Sequence, residues 1–271
     1  MAIPSSDRLA ANYAIERELA DRLRAAPGDE RARIYGEVYD ELFRRMPDHH
    51  QLTIDPARRD REVAAKLRFV SRFLDGDSCL LEIGAGDCAF SIRAASLVRQ
   101  VIVVDVSEVI TSAARGTPNL EVIISDGTSV PVEQASIDVA YSDQLMEHVH
   151  PDDALAQLAS VARAIRPGGV YVCITPNRVT GPHDVSRAFD DVATGLHLRE
   201  YSARDIRAMF RSAGFRKTHF YAGGRGRYLR MPDAVALSTE AAFERLPGTV
   251  RRGAPRIATN ALFGLNVVAT R

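Results

Sequence analysis

Residues 80–89 read Leu-Leu-Glu-Ile-Gly-Ala-Gly-Asp-Cys-Ala, an apolar run that leads directly into a glycine turn and then into a helical pattern. Gly84 and Gly86 carry no Cβ, so the backbone of this turn can pass close beneath a bound ligand. A strand, a Gly-x-Gly turn and a helix in this order predict the first unit of a nucleotide-binding α/β fold.

An acidic residue after the next apolar run narrows the choice of ligand. Asp105 stands 21 residues beyond Gly84, directly behind the apolar residues 101–104. A carboxylate at the end of a second strand can accept hydrogen bonds from both ribose hydroxyls. The glycine turn and Asp105 together indicate a cofactor that contains adenosine.

Two such cofactors fit this spacing. Gly84, Gly86 and Ala89 satisfy the relaxed dinucleotide fingerprint that allows alanine in the third place, so an NAD-dependent oxidoreductase is one alternative. Glu82 favours S-adenosylmethionine, because an acid near the ligand suits an ammonium and a sulfonium and is unhelpful beside a pyrophosphate. A module that binds S-adenosylmethionine without turnover is the second alternative.

Apolar runs and helical patterns alternate outward from the glycine turn. Helical patterns cover residues 89–98, 107–114, 151–165 and 202–213. The expected strands are residues 78–83, 100–106, 120–124, 137–141, 169–174, 216–222 and 265–270. Strands separated by helices form mostly parallel sheets with helices on both faces. We therefore expect a Rossmann-like α/β fold with a seven-stranded sheet.

Helical patterns also precede the glycine turn. Two helices are expected within residues 7–46, broken near Pro27-Gly28, and a third over residues 58–73. We expect residues 1–73 to form a helical lid. Residues 74–271 are then the cofactor-binding domain, with insertions at about 177–201 and 223–260.

Composition excludes several classes of partner. The 35 basic residues balance the 35 acidic ones, so no nucleic acid partner is expected. No apolar run approaches the ~20 residues that cross a bilayer, and residues 1–10 lack a signal segment, so we expect a cytoplasmic protein without a membrane span.

Cys79, Cys88 and Cys173 lack metal-ligand spacing and are interpreted as reduced packing residues. We expect no metal site, and the sequence does not indicate an oligomeric state.

Four motifs, in the family's order along the chain, resemble those of class I S-adenosylmethionine-dependent methyltransferases. Their sequence pattern is most similar to that of the ubiquinone and menaquinone biosynthesis group. They are residues 82–86 (Glu-Ile-Gly-Ala-Gly), Asp105, Asp126-Gly127 and residues 166–169 (Arg-Pro-Gly-Gly). The resemblance covers roughly residues 78–215 and the final strand. It implies that the glycine loop underlies the methionine part of S-adenosylmethionine, Asp105 holds the ribose and Asp126 lies beside the adenine.

The resemblance also extends to residues 141–149, which look like the family's segment after the fourth strand, where backbone and side chains face cofactor and substrate. The cofactor-binding residues that we expect are Glu82, Gly84, Ala85, Gly86, Asp105, Val106, Asp126, Gly127, Ser142 and Gln144.

His148 is the candidate catalytic residue of that segment. A neutral imidazole can take a proton from a hydroxyl or ammonium nucleophile, so we expect His148 to act as a general base. His150, His183 and His197 are interpreted as structural. Aromatic residues on the expected lid favour an amphipathic small-molecule acceptor, such as a secondary metabolite, a sugar or a lipid head group, with oxygen as the methyl-accepting atom.

Overall fold

In the computed structural model, which describes residues 6–49 and 52–271, the chain forms one eight-stranded sheet. The strands are β1 (Cys79–Ile83), β2 (Gln100–Asp105), β3 (Leu120–Ile124), β4 (Ile137–Asp143), β5 (Ile165–Thr175), β6 (Lys217–Gly224), β7 (Arg227–Met231) and β8 (Leu265–Thr270). Their order across the sheet is β3-β2-β1-β4-β5-β8-β6-β7. The prediction of a mostly parallel Rossmann-like sheet is confirmed.

The parallel half of the sheet places the ends of its strands together. Strand β1 pairs in parallel with both β2 and β4, and β3 and β5 extend the parallel pairing on either side. Strand order therefore reverses at β1, which is where open α/β sheets bind their ligands, outside the carboxyl ends of the strands. All five residues of β1 are buried, which explains why four of them are apolar, and Glu82 is the one buried acid among them.

The prediction of seven strands is wrong, because the described residues form eight. The additional strand, β7, lies in the segment that we expected to be an insertion, and it pairs antiparallel with β6. Between the paired residues Gly224 and Arg227, Arg225 and Gly226 both have positive φ angles of 55° and 81°. Two such residues make a tight hairpin whose twist matches that of its strands. Arg225 and Gly226 are thus the turn of a hairpin between β6 and β7.

Ten helices surround the sheet in the described part of the chain. They are α1 (Ser6–Ala25), α2 (Gly28–Arg45), α3 (Pro56–Val70), α4 (Ala89–Ala94), α5 (Glu108–Thr111), α6 (Pro151–Ala164), α7 (Ala203–Ser212), α8 (Asp233–Glu244), α9 (Gly248–Gly253) and α10 (Arg256–Phe263). The break between α1 and α2 falls at Pro27, as expected. No helix in residues 6–49 or 52–271 is long and apolar enough to span a membrane.

The N-terminal helices pack in two different places. Helices α1 and α2 share an apolar cluster with Leu196 and Leu198, from the loop before α7. Helix α3 instead packs into the apolar layer beside β1, through Val63 and Leu67 among others. Residues 1–5, 50 and 51 of the expected lid lie outside the described residues.

A buried ion pair fastens α2 to α6. Arg31 donates from Nε and Nη2 to the two carboxylate oxygens of Asp153, each at 2.8 Å, and the Tyr35 hydroxyl donates to Asp153 Oδ2 at 3.0 Å. Arg31 and Asp153 are 5% and 9% exposed. A bidentate pair that is shielded from water is the strong form of this interaction.

We expect Asp153→Ala to lower the free energy of unfolding by about 3–5 kcal/mol, because it removes the bidentate partner of the buried Arg31 guanidinium and leaves only the exposed Asp152 carboxylate, at 3.8 Å. Urea unfolding measures the change. Glu108→Ala is the control, since it breaks the solvent-exposed pair between Glu108 and Arg115 and should cost little. Equal losses in the two variants would contradict the structural role of the buried pair.

Candidate cofactor site and acceptor cluster

The two glycines of the turn after β1 differ in the space around them, because Gly86 is open and Gly84 is covered by a side chain. Gly84 and Gly86 have φ angles of 68° and 54°. A Cβ on Gly84 would meet Cδ1 of Leu145 at 2.8 Å, whereas a Cβ on Gly86 would meet no described atom within 4 Å. The turn therefore presents an open cradle at Gly86, where an added side chain would enter the space available to a ligand.

Asp105, the last residue of β2, holds this turn in place. Its Oδ2 accepts a hydrogen bond from the Gly86 amide at 3.0 Å, and its Oδ1 accepts from the amides of Val106 and Ser107 at 2.7 and 3.1 Å. Burial raises the pKa of Asp105, and these amide bonds oppose that effect. The carboxylate predicted to bind ribose thus also connects the ends of β1 and β2.

A cluster of acids with one lysine lies at the ends of β1 and β4. Glu82 is 4% exposed and accepts a hydrogen bond from the hydroxyl of Ser91 on α4. Asp143, at the end of β4, forms an ion pair with Lys66 on α3. Burial raises the pKa of Glu82 to about 8, and the charges of Asp143 and Asp105 act in the same direction, against Ser91 and Lys66.

This charge balance fits a cationic ligand. Glu82 is subject to the negative charges of Asp143 and Asp105 and to the positive charge of Lys66, so an added positive charge would favour the ionised form of Glu82. The ammonium and sulfonium groups of S-adenosylmethionine meet that requirement, and the open cradle at Gly86 can receive the ligand.

The carboxylate of Asp126, the third acid predicted to contact the cofactor, accepts hydrogen bonds from its own turn. Oδ1 of Asp126 accepts from the amides of Thr128 and Ser129 at 2.8 and 2.6 Å, and from both of their hydroxyls. Burial acts to raise the pKa of Asp126, but these bonds outweigh it and the pKa is lowered. The neighbouring Gly127 has a φ of 80° and lies directly beneath the Tyr35 ring.

The side chains of Ser142 and Gln144, on the segment after Tyr141, lie in different environments. The Ser142 hydroxyl is fully buried and hydrogen bonds to the Tyr171 hydroxyl at 2.6 Å, inside the sheet layer and away from the glycine turn. Gln144 is exposed at the strand end with a φ of 54°, a left-handed conformation that only a few per cent of non-glycine residues adopt. The structure thus places Gln144 at the edge and the Ser142 side chain in the core.

The predicted catalytic residue, His148, lies in a cluster that the sequence did not reveal. Its ring centroid is 4.9 Å from that of His197 and 6.0 Å from that of Tyr39. Ligand atoms of Glu147, His148 and His197 all lie within 4.8 Å of one another. We call Tyr39, Glu147, His148 and His197 the acceptor cluster.

The pKa values of three buried groups in and beside the acceptor cluster are raised: those of Glu147, Glu16 and His197. Burial raises the pKa of Glu147 to about 7, with His197 opposing the shift. Glu16, on α1, is also buried, and burial together with the charge of Asp184 raises its pKa to about 7. Burial acts to lower the pKa of His197, but Glu200 and Glu147 outweigh it and the pKa is raised.

Sequence reasoning missed most of this arrangement. From the sequence, His197 is interpreted as structural, and Glu147 is not singled out within residues 141–149. Lys66, one of the chain's two lysines, carried one signal that could have been used: it is an isolated lysine on an otherwise arginine-rich chain. Nothing in the spacing of Glu16 or Tyr39 distinguishes them from ordinary helix residues.

Comparison with known sequences places these features in a family. Residues 57–219 match the family model described as "Methyltransferase domain". A Mycolicibacterium smegmatis protein named "Probable S-adenosylmethionine-dependent methyltransferase" is 30% identical over 137 residues, which are 50% of this chain and 51% of that protein. A Mycobacterium tuberculosis protein of the same description is 31% identical over 137 residues, 50% of this chain and 48% of its own length. The chain spans about half the length of these curated relatives.

Solved structures share the fold. A Thermotoga maritima S-adenosylmethionine-dependent methyltransferase has a TM-score of 0.55 at 16% identity, covering 89% of this chain and 99% of that chain. Haemonchus contortus phosphoethanolamine N-methyltransferase 2, in complex with S-adenosyl-L-methionine, has a TM-score of 0.53 at 16% identity, covering 84% and 60%. At these identities the likeness is one of fold.

The match confirms the expectation of a methyltransferase family, and the names of the relatives favour S-adenosylmethionine over NAD as the adenosine cofactor. The narrower likeness to the ubiquinone and menaquinone group stays a prediction. With more than half of its residues matched to that family and the matching fold in place, the chain belongs to the methyltransferase-domain family.

Proposed function

We propose that the chain transfers a methyl group from S-adenosylmethionine to a hydroxyl oxygen of a small molecule, such as a secondary metabolite, a sugar or a lipid head group. One observation carries the proposal: the acidic cradle at β1 and the acceptor cluster after β4 lie at the same edge of the sheet. A donor and an acceptor of the methyl group can therefore be held side by side.

The cofactor half of the site is assigned to the cradle. When bound, S-adenosylmethionine supplies a methyl group on a positively charged sulfur that leaves as a neutral thioether. Gly86 provides space, Asp105 is assigned to the ribose, and the acids at the strand ends complement positive charge. The residues proposed to contact the cofactor are Glu82, Gly84, Ala85, Gly86, Asp105, Val106, Asp126, Gly127 and Gln144, with Ser142 placed through its backbone.

Helices α1 and α2 are proposed to act as the lid. Tyr35 lies over Gly127, a Cβ on Gly36 would meet the Val106 carbonyl oxygen at 2.9 Å, and Tyr39 reaches the acceptor cluster. These contacts put α2 directly on the loops after β2 and β3. Water exclusion and alignment of the reactants are the main tasks in such a transfer, and proximity alone can lower a barrier by roughly 7–11 kcal/mol. Helix α3, which we counted with the lid from the sequence, packs in the sheet layer.

The acceptor half is assigned to the acceptor cluster. His148 Nδ1 donates to the Leu196 carbonyl oxygen at 3.0 Å, which fixes the ring and leaves the basic lone pair on Nε2. We assign His148 a direct part in activating the acceptor hydroxyl, at the end of β4 where methyl donor and acceptor must meet.

We expect Gly86→Val to abolish S-adenosylmethionine binding in isothermal calorimetry, because its side chain occupies the cradle. Gly116→Val is the matched control, since Gly116 also has a positive φ, 87°, with no described atom within 4 Å of an added Cβ. Both variants carry backbone strain on the order of 1–3 kcal/mol, but only one touches the proposed site. Native affinity in a folded Gly86→Val protein would refute the cradle.

The ionisation of Glu82 should be linked to cofactor binding. Glu82 is mostly protonated at pH 7 in the free protein, since its pKa is about 8, and a cationic ligand favours its ionised form. Binding at pH 7 should therefore release about one proton more from the wild type than from Glu82→Gln. Affinity of the wild type relative to Glu82→Gln should rise as the pH increases towards 8.

Calorimetry in two buffers of different ionisation enthalpy measures the proton release. Comparing the two proteins removes the titration of the ligand's own ammonium group. Identical proton release by both would show that Glu82 does not sense the ligand charge.

We expect His148→Ala to lower turnover by about 10²- to 10⁴-fold while leaving cofactor affinity unchanged, because the residue acts on the acceptor. Transfer of a labelled methyl group is measured with the best acceptor from a panel of hydroxyl, amine and carbon nucleophiles. His219→Ala, on β6, should keep native turnover. Near-native turnover in a folded His148→Ala protein would sink this assignment, and cofactor binding without transfer to any acceptor would favour a non-catalytic module.

A further inference from the structure

Three metal-ligating side chains converge in the acceptor cluster from separate parts of the chain. Glu147 and His148 lie on the single helical turn after β4, and His197 lies in the loop before α7. One ligand atom from each is within 4.8 Å of the other two. Glu147 and His197 are buried, so this is an interior group and not a set of surface residues that meet by chance.

Both histidines use Nδ1 in a hydrogen bond to an oxygen acceptor. His148 Nδ1 donates to the Leu196 carbonyl oxygen at 3.0 Å, and His197 Nδ1 donates to Glu200 Oε1 at 2.8 Å. A carbonyl or a carboxylate can only accept, so Nδ1 of each ring carries a proton, and in the neutral ring the lone pair is on Nε2, where a metal can bind. Metal-bound histidines are commonly held by this kind of partner, which fixes the tautomer and the ring orientation.

Glu147 supplies an anionic oxygen with no partner of its own. Oε2 accepts from the Thr175 hydroxyl at 2.9 Å, which fixes the carboxyl group. Oε1 is buried, and no hydrogen-bond donor in residues 6–49 or 52–271 reaches it. A buried carboxylate oxygen without a donor is costly unless a proton or a cation binds it.

We propose, on the basis of the function proposed above, that Glu147, His148 and His197 bind one divalent first-row metal ion. Two imidazole nitrogens and one carboxylate oxygen suit Zn²⁺, Co²⁺ or Fe²⁺, whereas Mg²⁺ and Ca²⁺ prefer oxygen ligands throughout. Three protein ligands leave a coordination position open, as catalytic metal sites do. The hydroxyl of Tyr39, which no described residue hydrogen bonds, lies on the lid side of the same cluster.

The open position would receive the acceptor hydroxyl. Coordination lowers the pKa of a bound hydroxyl, so its proton passes to water near neutral pH. The oxygen then forms its bond to the methyl carbon as the carbon–sulfur bond breaks, and that bond's electron pair stays on sulfur. In this proposal His148 is a metal ligand and not the general base expected from the sequence. Coordination of a hydroxyl also gives a physical reason for oxygen as the methyl-accepting atom.

Metal uptake by the full chain, freed of any affinity tag, tests the site. After treatment with a chelator, the protein is dialysed against micromolar Zn²⁺ or Co²⁺, and bound metal is measured by elemental analysis and by the visible absorption of Co²⁺. We expect one ion per chain, and at least a tenfold loss of affinity in both His197→Gln and Glu147→Gln. A tenfold excess of Mg²⁺ should not displace Zn²⁺.

The chain's adjacent histidine pair provides the control. The double variant His49→Gln/His50→Gln should bind metal as the wild type does, which separates the cluster from adventitious binding. Failure of the wild type to bind one ion, or binding that survives both cluster substitutions, would overturn the proposal and leave Glu147 and His197 as a pair that shares a proton. If a variant does not fold, the stoichiometry and the Co²⁺ spectrum of the wild type still decide.

Calorimetry with S-adenosylmethionine on the same samples separates this inference from the proposed function. Cofactor binding without metal uptake would remove the metal site alone. Loss of cofactor binding in the metal-loaded wild type would instead contradict the proposed function itself.

Discussion

The carboxylate of Asp105 is the constraint on which the cofactor edge depends. It accepts hydrogen bonds from the Gly86 amide, on the turn after β1, and from the Val106 and Ser107 amides, on the turn after β2. One side chain therefore sets the distance between two loops that a ligand must bridge. Because Gly84 and Gly86 already hold left-handed conformations, the turn has little freedom left once this carboxylate is in place.

The same edge concentrates negative charge that the free protein balances only in part. Glu82 is buried with a raised pKa, and Lys66 is the ammonium group that faces Glu82 and Asp143. Such an arrangement costs stability in the empty state, since buried acids are held against their preference for water. A cationic ligand relieves that cost, and any ligand that binds only the folded state stabilises it by mass action. The affinity for a cationic ligand and the charge balance of the free protein therefore depend on the same residues.

The loop before α7 connects the acceptor cluster to the N-terminal helices. The Leu196 side chain packs in the apolar cluster of α1 and α2, while its carbonyl oxygen accepts from His148. Arg24, on α1, donates to the carbonyl oxygens of Thr194 and Gly195 at 3.0 and 2.9 Å. Movement of α1 would therefore shift the residues that orient His148 and His197. Four consecutive residues, 194–197, thus connect α1 with the histidines of the acceptor cluster.

The sequence alone determined the α/β architecture, the break between α1 and α2, and the left-handed turn of Gly84 and Gly86 after β1, because these depend on local rules: helical and strand periodicity, and the need for glycine where the backbone turns left-handed. The part of this turn and of Asp105 in cofactor binding stays a prediction. Sequence reasoning missed β7, whose short strand depends on a two-residue hairpin turn. Only the tertiary structure brought His148 and Glu147 to His197, because no spacing rule links side chains that meet when distant segments pack.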